Sequence, residues 1–146
     1  MQHVLGLRLL GGSKVFARRT PATPLQLNDV LQAGIPARAL IAFKAATEFT
    51  VAELSHFLGV SAKSVARYID APAKRLPPAP SDRLYRSAKM VDLAAEVLGG
   101  KRNALAWLRS AQPGLGKRRP LDLLATDAGA RQVEDELLRI EHGFLA

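Results

Sequence analysis

Val51-Ala52-Glu53-Leu54-Ser55-His56-Phe57-Leu58-Gly59-Val60-Ser61-Ala62-Lys63-Ser64-Val65-Ala66-Arg67-Tyr68-Ile69 is the stretch that decides the fold. Val51, Leu54, Phe57 and Leu58 recur at helical spacing after Thr50, a residue suited to capping a helix start. Gly59 ends that helix, because glycine takes the left-handed conformation without steric cost. Ser61 then caps a second short helix running through Val65 to Ile69. Two helices joined by so few residues need a glycine at the first helix end, a small residue where they nearly touch, and apolar inner faces. Gly59, Ser55 and the set Leu54, Leu58, Val60, Val65 and Tyr68 meet those needs, so the stretch reads as a helix-turn-helix. In that arrangement the second helix enters the DNA major groove, with Ser61, Ala62, Lys63, Ser64 and Arg67 facing outward. Lys63 and Arg67 can reach guanine edges or phosphates, and the free amides at Ser61 can hold a phosphate. A glycine-joined helix pair also occurs in ordinary helical bundles.

Outward from this motif the chain continues to read as helix. Leu27, Val30 and Leu31 form an apolar stripe from about Leu25, with Asn28 or Asp29 in the first turn and Gly34 as the stop. Pro36 opens a further helix, with Leu40, Ile41 and Phe43 on its inner side. Four prolines between Asp70 and Pro80 forbid a continuous helix and predict a linker between two halves. Ser81 is then expected to cap a long helix lined by Leu84, Ala88, Val91 and Leu98 and closed by Gly99-Gly100. A helix from about Asn103 to Arg109 carries Trp107, expected in the core, and Gln112 to Arg119 reads as a loop. Pro120 begins a helical turn, and Thr126 or Asp127 starts a last helix ending near His142-Gly143. No alternating β-branched run appears anywhere, so the expected fold is all-α. Met1 to Pro24 shows no sustained periodicity and reads as a loosely held basic arm. The expected division is therefore an arm over 1–24, a helix-turn-helix domain over 25–78 and a second domain over 79–146.

Composition narrows the function classes. The chain has 146 residues, 48% of them apolar, which is enough for a sizeable core. It contains no cysteine, which removes disulfide scaffolds, thiol catalysis and cysteine-based zinc sites. No apolar run approaches the roughly 18 residues of a membrane span, and the N-terminus lacks a secretory pattern, so the expected location is cytoplasmic. The net charge of +8 is uneven: residues 1–78 hold ten Lys/Arg against four Asp/Glu, and residues 79–146 hold eleven against nine. A basic first half points to an anionic partner, of which nucleic acid is the commonest, or serves solubility alone. His3, His56 and His142 have no metal-ligand spacing, and Gly11-Gly12-Ser13-Lys14 lacks the rest of a nucleotide-binding loop. An enzyme is not expected, nor any metal or cofactor.

Three further stretches carry a resemblance. They are Ala33 to Leu40, Leu76 to Leu84 leading to Ala95-Glu96-Val97-Leu98-Gly99, and Ala104 to Leu108 followed by Leu115-Gly116 and Arg119-Pro120-Leu121-Asp122-Leu123-Leu124-Ala125-Thr126-Asp127 through Ala146. Together with the helix-turn-helix, residues from about Gly34 onward resemble antitoxins of the Xre/MbcA/ParS type. The sequence departs from the family at Ala111-Gln112, where proline-asparagine is common, and at Lys117, where a second glycine is common. The resemblance implies a non-catalytic protein that binds a RES-domain, NAD-depleting toxin through its second half and occludes the toxin's active site. It also implies repression of its own operon, while the alternative is a helix-turn-helix transcriptional regulator with no toxin partner. A tip made of Glu141, His142, Gly143, Phe144, Leu145 and Ala146 either enters the toxin's dinucleotide pocket or folds back on the chain's own core. Lys117, Arg118 and Arg119 either contact the toxin or DNA or are simply solvated. Because helix-turn-helix operators are two-fold, a homodimer is expected, with the helix after Ser81 as a candidate surface.

Overall fold

A computed structural model of the chain describes residues 5–17 and 20–143. The described residues are mostly helical, with two isolated β-bridges and no strand among them. In chain order the helices are α1 (Ser13–Phe16), α2 (Pro24–Ala33), α3 (Ala37–Thr47), α4 (Val51–Leu58), α5 (Ala62–Ile69), α6 (Pro78–Leu98), α7 (Lys101–Leu108), α8 (Pro120–Leu123) and α9 (Asp127–Glu141). A 3-10 turn, Pro113–Leu115, lies between α7 and α8. Helix α6 is the spine, packing against α2, α4, α7 and α9. Its buried face, Leu84, Ala88, Val91 and Ala94, joins the apolar residues of both halves into one core.

Local chemistry sets the helix-turn-helix. Thr50 closes a capping box on α4: its hydroxyl accepts the Glu53 N–H at 3.1 Å, and the Glu53 carboxylate accepts the Thr50 N–H at 2.9 Å. Gly59 follows α4 at φ 65° and ψ 33°, the left-handed turn expected of it. A Cβ there would lie 2.6 Å from Arg83 Nη1, and that guanidinium donates to the Leu58 carbonyl at 3.0 Å. The small side chain of Ser55 donates to the Val60 carbonyl and ties the turn together. Beneath the pair, Phe49 packs between Phe43, tilted at 55° with ring centroids 5.6 Å apart, and Phe57, edge-on at 77° with centroids 5.0 Å apart.

Three expectations are corrected. Residues 5–17 are not a loose arm: Leu7, Leu10 and Phe16 are buried in the common core, and the Gly6 N–H donates to the Asp92 carboxylate on α6. The apolar residues are too irregularly spaced for a long helix, but they still gain by burial against α6. Arg18 and Arg19, part of the expected basic arm, lie outside the described residues.

The prolines after Asp70 do not make a free linker. Leu76 is buried, its N–H donates to the Ile35 carbonyl at 2.8 Å, and Arg75 bridges to Pro36. Helix α6 starts at Pro78, where a missing amide costs nothing because first-turn amides have no intrahelical acceptor. Ser81 consequently does not cap α6. It is buried inside the first turns, accepting the Ile35 N–H at 3.0 Å and donating to the Leu76 carbonyl at 3.3 Å.

Candidate functional site

Helix α5 is held by one deep anchor. Val65 is fully buried, whereas Ser61, Ala62, Lys63, Ala66 and Arg67 on the remaining surface are exposed and Ser64 is half-buried. The Ser61 hydroxyl accepts the Ser64 N–H at 3.0 Å, capping the helix. The chain of contacts continues outward: Ser61 Oγ bonds Ser64 Oγ at 3.1 Å, and Arg67 Nη2 donates to Ser64 Oγ at 3.2 Å. Arg67 is thus aligned along the helix by neutral partners that leave its charge uncompensated. Lys63 has no ion pair among the described residues. A short helix with two unneutralised cations on an exposed face is suited to meet a polyanion.

The second candidate surface is the loop after α7. Gln112 and Arg118 pair as a β-bridge, with the Gln112 N–H donating to the Arg118 carbonyl at 3.0 Å and the Lys117 N–H to the Gln112 carbonyl at 2.9 Å. Closing so tight a loop puts Lys117 at φ 64°, the left-handed region that favours glycine. Lys117 and Arg118 are exposed. Arg119 is not free: it forms a two-pronged pair with Asp122 at 3.0 and 2.9 Å. The Arg119 guanidinium holds the Asp122 carboxyl below its usual range, against a smaller opposing effect of burial.

The loop and the end of α9 lie close together. Gly114 lies under the Glu136 carboxylate, so closely that a Cβ would meet its oxygen, and Glu136 is five residues before Glu141. Glu141, His142 and Gly143 are exposed there, while Phe144, Leu145 and Ala146 lie outside the described residues. Trp107 is partly buried against the core.

A junction between the two halves is the feature the residue patterns missed. Arg109 on the rim of α7 donates to both oxygens of Glu53 at 3.3 Å, and its guanidinium lies 5.0 Å from the Phe49 ring centroid. Burial pushes the Glu53 carboxyl up, but the hydrogen bond from Arg109, the Thr50 N–H and the Arg109 charge together outweigh it and hold the group below its ordinary value. Beside it, His56 Nε2 lies 3.3 Å from the Asp122 carbonyl. The Thr50-x-x-Glu53 spacing signals the capping box, but nothing local signals a partner 56 residues away.

Residues 26–89 match the antitoxin Xre-like helix-turn-helix domain, and residues 93–143 match the antitoxin Xre/MbcA/ParS C-terminal toxin-binding domain. The chain belongs to the Xre/MbcA/ParS-type antitoxins. Its relatives include an antitoxin Xre of Yersinia enterocolitica, 34% identical over 96 residues, which are 65% of this chain and 64% of that protein. An antitoxin Xre of Photorhabdus laumondii is 27% identical over 82% of this chain and 81% of its own length. One from Pseudomonas putida is 38% identical over 44% of this chain and 40% of its own. The chain thus spans just under two thirds of the Yersinia relative. Both family matches meet within α6, between residues 89 and 93, rather than at the prolines where the two halves were expected to part.

Proposed function

We propose that this antitoxin binds and neutralises a RES-type, NAD-depleting toxin by covering its active site, and that it represses its own operon as a DNA-binding dimer in the cytoplasm. The match of residues 93–143 to a toxin-binding domain carries the first part. The exposed, unneutralised Lys63 and Arg67 on a capped recognition helix support the second. Covering a pocket requires no chemistry from this chain, and among the described residues no acid, histidine or cysteine cluster could hold a metal. In the toxin-bound state, Lys117, Arg118, Arg119 and the tail from Glu141 to Ala146 are the contact residues in this reading.

The test is co-expression with the gene next to its own, followed by co-purification and a measurement of cellular NAD. The full chain should co-purify and restore NAD. A chain lacking Glu141 to Ala146 should retain its helicity and leave NAD depleted. Full restoration by the shortened chain would rule out occlusion by the tail, and failure of the full chain to restore NAD would rule out the RES-toxin reading.

A further inference from the structure

The cations of the first half do not end with α5. After Ile69 the chain turns back past the N-terminal end of α3, and two backbone hydrogen bonds pin it there: the Ala37 N–H donates to the Lys74 carbonyl at 2.8 Å and the Arg38 N–H to the Pro72 carbonyl at 3.1 Å. The Arg75 guanidinium adds a bond to the Gly34 carbonyl at 3.3 Å. These contacts hold the backbone of Lys74 and that of Arg38 at the N-terminal end of α3, both residues exposed, a few residues past the C-terminal end of the recognition helix, against which α3 also packs. Neither has an ion pair among the described residues. Asp70, at the end of α5, is the one acid in the run from Lys63 to Arg75. The first amides of α3 are already taken by carbonyls, so whatever this strip attracts, it attracts through side chains.

We propose that Arg38 and Lys74 form a phosphate clamp, holding the DNA backbone beside the groove that α5 enters. The inference rests on the DNA-binding reading above and adds a division of labour to it. Lys63 and Arg67 sit on the helix that faces base edges, so they discriminate between sequences. Arg38 and Lys74 sit on backbone that is rigidly anchored outside that helix, so they set register and affinity with no sequence information. The anchoring matters because a preorganised cation loses less conformational freedom when it meets a phosphate.

The test uses the full chain, a duplex covering the region upstream of its own gene, and a scrambled duplex of equal length, with binding measured by fluorescence anisotropy over a range of salt. For R38Q/K74Q we expect weaker binding by the same factor on both duplexes, with the slope of log K against log salt reduced by about 2, or about 0.9 per lost phosphate contact. K63A/R67A should instead remove the difference between the two duplexes. K101Q, on the exposed start of α7, should change neither quantity, and circular dichroism should show all variants equally helical. An unchanged slope in R38Q/K74Q, with the wild type bound, would overturn the clamp alone. A loss confined to the upstream duplex would also overturn it, since it would make these residues readers of sequence. Failure of the wild type to bind either duplex at low salt would overturn the DNA-binding reading itself, and the clamp with it.

Discussion

The two halves of the molecule carry almost the same number of cations, ten and eleven, and pair them to different extents. Among the described residues, no Lys or Arg before α6 forms an ion pair, whereas Arg86, Arg109, Arg119, Arg131 and Arg139 in the second half each have a carboxylate partner. The junction accentuates the contrast, because Arg109 takes one of the four acids of the first half, Glu53. Unpaired charge throughout one half, against five of eleven cations paired in the other, leaves the first half with the greater excess of free positive charge among the described residues. Unpaired cations keep their attraction for a polyanion, while paired ones contribute little net charge to the surface around them.

If the division is one of surface only, the interior should behave as a single unit, and the largest effect should come from the residue beneath both halves. Phe49 is fully buried, touches the Phe43 and Phe57 rings, and lies under Arg109. Phe49→Ala should cost about 3–5 kcal/mol, lowering the melting temperature while leaving one cooperative transition. Two resolved transitions by calorimetry would show that the halves fold separately, and the contrast would then be one between domains.

That unity is the part of the fold least visible in the sequence. The caps and turns of the helix-turn-helix were legible because each is decided within a few residues: Thr50 with Glu53, Ser55 with Gly59, Ser61 with Ser64. What was not legible depends on distant partners. The docking of residues 5–17 depends on Asp92, which is 86 positions from Gly6, and the role of Ser81 depends on Ile35. The prolines near residue 78 signal a helix break by composition, although at a helix start the same lack of an amide is harmless. At the candidate site, the exposure of Lys63 and Arg67 could be anticipated from helical spacing. The placing of Arg38 and Lys74 at one end of α3 could not, since it depends on the return of the chain past the start of that helix.

A smaller effect tests the junction. Glu53→Gln keeps an acceptor for the Thr50 N–H but removes the charge facing Arg109, and should cost about 1 kcal/mol at neutral pH, near the upper end for a partly exposed pair. The Glu53 carboxyl is held below its ordinary value of 4.5, so its contribution is complete above that pH and is lost as the pH falls through and below it. Wild type and Glu53→Gln should therefore differ in melting temperature at pH 7 and converge on acidification below about 4.5. A gap that persists in acid would mean that the glutamate stabilises through packing rather than through its charge.

The smallest effect on stability sharpens the comparison most. Arg119 and Asp122 are paired at 2.9 Å, yet both side chains are close to half exposed, so water and salt screen the pair and fixing two side chains offsets what attraction remains. Arg119→Ala should leave the melting temperature unchanged. It would, however, uncover Asp122 at the edge of the basic loop, placing an uncompensated negative charge beside Lys117 and Arg118. A charge at the rim of an interface acts chiefly on the rate of association and its salt dependence. Toxin capture by Arg119→Ala should accordingly slow at low salt and approach the wild-type rate at high salt. An unchanged rate at every salt concentration would take the loop out of the toxin interface and leave the tail to carry it.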